Sequence, residues 1–538
     1  MIRCCSFLLF LASAAGADLR TLVASGNLAD LRWPDFSDCR AEVRSFYEAN
    51  GYAPAWSHAG VATPQALALL DVLRGAESKG LDAEDYDGSR WAARKIDERF
   101  DVALTVSAIR YLSDLHAGRL NPGLYCPGFD IAEKRCQAAD LLRKLVTAAD
   151  VRGPLDALEP SFAGYQRTRK ALEKYRAAAR EDDGELLPAT KKPVEPGTEY
   201  AGVARLARLL RRLGDLPADA PVPLKYEGPL VEAVKRFQAR HGLDPDGRLG
   251  KGTIAALNTP LAQRVRQLEL TLERWRWVPR EYSRPPLVVN LPEFRLRAFN
   301  AVNETELEMK LVVGRAYGHQ TPVFAAEMNE VIFRPYWNVP RSITRQELLP
   351  KIEKDRDYAM HNGYEAVTAR EQVIARGTID DDTLAKLRSG ALALRQVPGP
   401  KNSLGLVKFL FPNEYDVYLH DTPATTLFAR SRRDFSHGCM RVEKPVALAE
   451  WVLRAQNGWT PEKIEEAMHG ESPLPVRLAR PIPVLVVYAT AVALDSGEVR
   501  FFDDLYGQDA QIEALLAQGF PRPRWTPTTS VPGRHPHE

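Results

Sequence analysis

The sequence predicts a multi-domain α+β protein: a helical N-terminal scaffold, a small three-helix module, and a mainly antiparallel β domain with a helical insertion. Three observations predict it. The chain has 538 residues, which at roughly 100–200 residues per domain implies two to four domains. Hydrophobic residues make up 45% and charged residues 26%, a balance that supports buried cores rather than general disorder. Apolar residues recur at helical spacing up to Pro279, and from Leu287 onward short runs of β-formers separated by Pro, Gly and Asn replace them. The formal net charge of +2 offers no global field for a polyanion, so nucleic-acid binding has no compositional support.

The first element is an expected export signal over residues 1–17. Arg3 supplies the positive end, Cys4 to Ala12 the short apolar stretch, and Ala15-Gly16-Ala17 the small residues before cleavage. No later stretch is long and apolar enough to span a bilayer, since Pro481–Leu494 is too short and opens with two prolines. A periplasmic, soluble mature protein follows. Of the six cysteines, Cys39, Cys126, Cys136 and Cys439 outlast the signal, too few for a disulfide scaffold of this size. Cys126 and Cys136 could pair across a Pro-Gly loop; Cys39 and Cys439 then stay unpaired unless they bond each other.

Residues 18–185 read as a helical scaffold, with Leu104, Ala108, Tyr111 and Leu115 on one helical face before Gly118. Acidic residues, a Lys pair and repeated prolines over 181–197 mark a solvated linker. Residues 197–262 hold three helices, with Leu206 and Leu210, then Val234 and Phe237, then Thr253–Asn258, and an Asp244-Pro245-Asp246-Gly247 turn. That turn lacks the further ligands of a calcium loop. A linker helix over 263–284 carries Val265, Leu268, Leu272 and Trp275. Strands are expected at 287–291, 294–299, 307–313, 330–333, 406–411 and 415–420 in a mainly antiparallel β domain spanning 285–470. The charged, helix-favouring stretch 341–396 interrupts it where a lid could arise. Residues 471–538 form a C-terminal segment with strands at Pro481–Thr490 and Glu498–Phe502 and a loose Pro-rich tail from Pro521.

The chemistry-bearing residues are His420, at the end of Val417-Tyr418-Leu419-His420, and the run Ser436-His437-Gly438-Cys439-Met440-Arg441. Alternation puts Tyr418 and His420 on the strand face opposite Val417 and Leu419. A free thiol is only a few per cent thiolate at neutral pH, so a cysteine nucleophile needs a nearby imidazole or positive charge. His420, His437 and Arg441 are the candidates. Gly438 lets the backbone approach a reacting carbonyl, and the amides of Gly438 and Cys439 could donate to an oxyanion. A zinc site from His420, His437 and Cys439 lacks a fourth ligand and any Cys-x-x-Cys.

Two resemblances rest on these residues. Phe237–Leu243, Asp246-Gly247 and Thr253–Asn258 resemble the three-helix peptidoglycan-binding module of bacterial cell-wall enzymes. His420 followed by Ser436-His437-Gly438-Cys439 and Arg441 resembles the active-site signature of the L,D-transpeptidases of the YkuD fold. Thr321-Pro322, Trp337–Pro340, Pro398–Gly405 and Phe411-Pro412-Asn413 resemble the large YcbB-like branch. The resemblance implies a 3→3 cross-linking transpeptidase that releases D-alanine from a tetrapeptide donor through a cysteine thioester. It assigns Cys439 as nucleophile and His420 as base, with His437 and the Gly438–Cys439 backbone at the oxyanion. Arg441, Tyr418, Ser436 and Trp337 are the substrate-binding candidates; other members often carry Asn at the Arg441 position, and Trp337 and Tyr418 serve a core equally well. No cofactor is implied. The implied partners are peptidoglycan stem peptides and glycan, and cell-wall synthesis proteins. The basic run Arg430–Arg433 suits a solvated loop, or anionic stem peptides. Two other readings stand beside this one: a cysteine peptidase, against which His before Cys argues, and a non-catalytic wall-binding protein.

Overall fold

The computed structural model of the protein describes residues 18–124, 129, 131, 134, 137–282, 284–302 and 304–522. The expected signal at 1–17, the Cys126–Cys136 pairing and the tail beyond 522 lie outside the described residues. In the scaffold, α1 (Glu98–Ala117) starts where the Asp97 carboxylate accepts from Arg99 N and Phe100 N at 3.1 and 3.2 Å. The expected single apolar face is in fact buried nearly all round, because flanking helices wrap it. Its one deeply buried carboxylate near the start, Asp101, accepts from Ala55 N and Trp56 N at 2.9 Å. Gly118 ends the helix at φ +94°, and a Cβ there would lie 2.7 Å from Trp277 Nε1. Only glycine lets these two segments approach so closely.

After α2 (Ala163–Arg180), residues 181–197 run along the next module rather than free of it. Most of their charged side chains are exposed, but Asp182 pairs with Arg205 and Arg212, Leu187 and Val194 enter the module core, and Asn258 clamps both backbone groups of Leu187 at 2.7 and 3.1 Å. The module consists of α3 (Val203–Leu213), α4 (Pro229–Arg240) and α5 (Lys251–Leu257), packed through Leu206, Leu210, Val234 and Phe237. The Asp246 carboxylate accepts from Gln238 Nε2 and Arg248 N, both at 2.9 Å, so it shapes the turn. The long α6 (Leu261–Trp277) packs on α2 and buries Leu268, Leu272 and Glu273.

The β domain is built from β1 (Leu287–Asn290), β2 (Arg295–Phe299), β3 (Thr305–Gly314), β4 (Phe324–Phe333), β5 (Val407–Leu410), β6 (Leu419–His420), β7 (Asp434–Ser436), β8 (Met440–Val442) and β9 (Leu474–Val487). Their order is β7-β3-β8-β6-β5-β4-β9-β1-β2, and β2 also pairs with β3, so the sheet closes on itself. The sheet does not stop at residue 470: β9 runs antiparallel to β4 and parallel to β1, filling the place between them. The strands expected at Pro481–Thr490 and Glu498–Phe502 are not each other's partners. The first belongs to β9, and Ala491–Ala493 pairs with Val499–Phe501 instead. β6 is shorter than expected because the Asn413 side chain satisfies the backbone of Phe411, Tyr415 and Val417, and Asp416 turns at φ +53°.

The 341–396 insertion contains helices Leu349–Lys354 and Asp381–Ser389, as expected, and strands as well. Tyr364–Val367 sits between Val373–Arg376 and Ala393–Gln396, and the last also pairs with Trp337–Asn338. Ile352, Ala366, Ile379 and Leu394 give it a core of its own. The chain returns to β5 through Pro398–Gly405, where buried Asn402 donates to Pro335 O and Val397 O, both at 3.0 Å. No helix among the described residues is long and apolar enough to cross a membrane.

Candidate active site

β6 delivers its side chains to two faces. Val417 and Leu419 join the sheet core, while the Tyr418 and His420 rings lie 5.8 Å apart on the other face. On β5, Lys408 stands opposite His420. On β8, which is parallel to β6, Leu419 pairs with Met440 and His420 with Arg441. Cys439 immediately precedes β8, so topology alone sets the thiol one position from the strand that neighbours His420. Their hydrogen bonds go elsewhere. His420 Nδ1 lies 2.5 Å from Asp421 O, Cys439 Sγ lies 3.7 Å from Asp416 O, and among the described residues no hydrogen bond joins the two side chains.

Burial pushes the Cys439 thiol above its ordinary range, and Tyr418, through its N–H and its phenol, and the Lys408 charge pull against that. The thiol is therefore protonated at neutral pH. Burial, with Arg441 and Lys408 adding repulsion, pushes the His420 imidazole down to about 3, leaving it neutral and able to accept a proton. Burial and the neighbouring Arg315 lower Arg441, and the thiol opposes them; Arg441 Nε is buried with no hydrogen-bond partner among the described residues. Tyr418→Phe removes one stabiliser of the thiolate and should move the thiol further up. Alkylation of Cys439 by iodoacetamide at pH 8, read from the mass of its peptide, is then expected to slow about 3- to 10-fold. An unchanged rate would show that the phenol does not tune the sulfur.

The Ser436–Cys439 turn is held from inside. Ser436 Oγ donates to Cys439 O at 2.5 Å and accepts from Gly438 N at 3.2 Å. This corrects one expectation: the Gly438 amide already has a partner, so only the Cys439 N–H, which has none among the described residues, remains for an oxyanion. Ser436 is buried and shapes the turn. Gly438 adopts φ +120°, and a Cβ there would meet nothing, so its glycine serves the backbone conformation. Its carbonyl accepts from Thr321 Oγ1 at 2.7 Å; Thr321 in turn accepts from Gly314 N at 2.9 Å, and Tyr506 Oη donates to Gly314 O at 2.7 Å. The C-terminal segment thus braces the Ser436–Cys439 turn.

His437 points at the insertion. Its Nε2 lies 2.5 Å from Glu347 Oε1, on the π-helical turn Thr344–Leu348, and its ring meets His319 at 4.7 Å between centroids. Trp337 sits in the insertion sheet with its ring 6.4 Å from Tyr364, away from the thiol's contacts. Sequence reasoning missed Lys408, Glu347 and Tyr506. Alternation against the core residue Phe409 could have placed Lys408 on the His420 face; nothing local marks the other two.

Against known proteins, residues 285–476 match the model of the L,D-transpeptidase catalytic domain, YkuD, and both His420 and Cys439 fall inside the match. The chain carries a YkuD-family L,D-transpeptidase catalytic domain. Upstream of this L,D-transpeptidase domain, residues 199–257 match a "Putative peptidoglycan binding domain" and residues 41–172 a scaffold domain. A "Putative L,D-transpeptidase" of Haemophilus influenzae is 30% identical over 248 residues, 46% of this chain and 49% of the relative, so the chain spans about half the length of the curated relative it matches. A crystal structure of an L,D-transpeptidase (residues 123–326) from Xylanimonas cellulosilytica is 15% identical, covers 56% of this chain and all of that one, and superposes with a TM-score of 0.18.

Proposed function

We propose that the protein is an exported, periplasmic peptidoglycan L,D-transpeptidase that forms 3→3 cross-links through a thioester on Cys439. The observation that carries this reading is the parallel register of β6 and β8, which seats a neutral imidazole on the strand beside the thiol. Because the thiol is protonated at rest, its proton passes to His420 as the sulfur attacks the carbonyl carbon at the L-centre of the donor stem's diamino acid. The Cys439 N–H steadies the oxyanion. The C–N bond to D-alanine breaks, its nitrogen takes the proton from His420, and a thioester remains. A side-chain amine of a neighbouring stem then attacks the thioester. His420 takes the amine's proton, the C–S bond of the thioester breaks, His420 returns the proton to the sulfur, and the amide cross-link is complete. No cofactor enters these steps.

Arg441, with a buried N–H unpartnered, suits a substrate carboxylate, and Tyr418 supports the thiolate. The Glu347–His437 contact supports the insertion as the cap that keeps water from the thioester. Incubating the purified protein with tetrapeptide-rich sacculi and analysing the muropeptides tests the reading. New 3→3 dimers are expected; stems that are only shortened would mean hydrolysis, and unchanged stems would mean binding alone.

A further inference from the structure

A cleft of about 310 Å³ separates the three-helix module from the catalytic sheet, and none of the chemistry above uses it. Its cations are Arg295, Lys310, Arg430, Arg432, Arg433 and Arg500; its carboxylates are Asp244, Glu293 and Asp503. The cations outnumber the acids, and two of them are uncancelled. Arg433 is buried and donates to Leu311 O, Ser431 O and Phe294 O at 3.0, 3.0 and 3.1 Å, with no carboxylate in ion-pair range among the described residues. It stays charged at neutral pH, since burial and Arg295 bring it down only to about 10. Arg430 is exposed, its guanidinium rests 5.2 Å from the centre of the Phe435 ring, and its N–H donors have no protein partner among the described residues.

The walls are fixed before any ligand arrives. Arg240 of the module holds Asp215 at 2.8 Å and donates to Val499 O at 3.2 Å, and Gly242, at φ +66°, lies against Phe502. The loop that supplies residues 429–433 is the same one that runs from His420 to Ser436. A ligand seated there lies along the chain that carries the catalytic pair.

Resting on the transpeptidase reading, we propose that this cleft is a second peptidoglycan subsite, which takes the carboxylates of a stem peptide on a strand held by the module and presents that stem as acceptor. Arg430 supplies the free charge-assisted donors, Arg433 supplies the standing positive field, and Arg432, held by Asp434 at 2.7 and 2.9 Å, stays a structural part of the loop.

The test uses the full chain with Cys439→Ala and a soluble disaccharide-tetrapeptide, with binding followed by calorimetry. Adding Arg430→Glu should weaken binding about tenfold or more, the scale of a lost charged hydrogen bond. A tetrapeptide with amidated carboxylates should bind parent and variant alike. With Cys439 restored, the Arg430→Glu variant should still be acylated by a β-lactam at the parent rate, which shows an intact fold and thiol. Equal binding by parent and variant overturns the proposal. So does arginine-dependent binding of phosphatidylglycerol vesicles in place of the peptide. If the restored wild type binds the peptide through Arg430 yet forms no dimers on sacculi, the cleft stands and the transpeptidase reading fails.

Discussion

Cys439→Ala is expected to abolish dimer formation on sacculi, with a loss of at least about 10⁴-fold, because a covalent route without its nucleophile keeps only binding and oxyanion contacts. The fold should not notice. Cys439 is outside the hydrophobic cores, is only partly exposed, and loses only the weak contacts of a thiol to Asp416 O and Tyr418, so stability should move by less than about 1 kcal/mol. Sacculus retention should persist, since the three-helix module has a core separate from that of the sheet. Intact-protein mass after exposure to a donor stem checks the chemistry directly: an acyl adduct on the parent and none on the variant. Dimers made by the variant would move the nucleophile elsewhere.

Glu273→Ala is expected to cost about 3–5 kcal/mol, the toll of breaking a buried ion pair and leaving its partner uncompensated. Glu273 is fully buried on α6, accepts from Leu120 N at 3.1 Å, Trp277 Nε1 at 3.2 Å and Arg119 Nε at 3.2 Å, and so ties the end of the scaffold's central helix to the helix that leads into the sheet. Burial alone would push its carboxyl up; Arg119, then Arg276 and the Leu120 N–H, outweigh it and hold the group below its ordinary value. The sign follows from that depression. The stabilisation is fully present above the unfolded value of about 4.3 and is lost as pH falls through the lower folded value. Urea unfolding followed by tryptophan fluorescence should show the parent's midpoint falling as pH drops below about 4.3, and the variant's midpoint low and less responsive. A variant with the parent's midpoint at pH 7 would mean the junction is held by other contacts.

What could be read in the chain was local chemistry with a fixed period. The Tyr418/His420 face, the helix around Leu104 and Leu115, and the module's Phe237 and Asp246-Gly247 turn each follow from neighbours a few residues away, and the structure places them so. What could not be read depends on distant pairing. Nothing near Leu474 says that it will slot between β4 and β1, since an apolar β-run fits any open edge equally. The helix-favouring composition of 341–396 hid three short strands whose pairing is fixed by the insertion's own core. Gly438 was assigned for its amide, yet a serine two residues earlier had already claimed that donor. Glu347 reaches His437, and Tyr506 reaches Gly314 behind the Ser436–Cys439 turn, across long sequence gaps, and contacts of that kind leave no periodic trace.

The late arrival of β9 bears on how the chain comes to maturity. Until the segment ending at Val487 is in place, β4 and β1 each present a bare strand edge, and the ring of strands around His420 stays open. A nonsense mutation between the cysteine motif and that residue would therefore yield a sticky, misassembling fragment, so a chain cut short there is a proteostasis burden before it is a loss of activity.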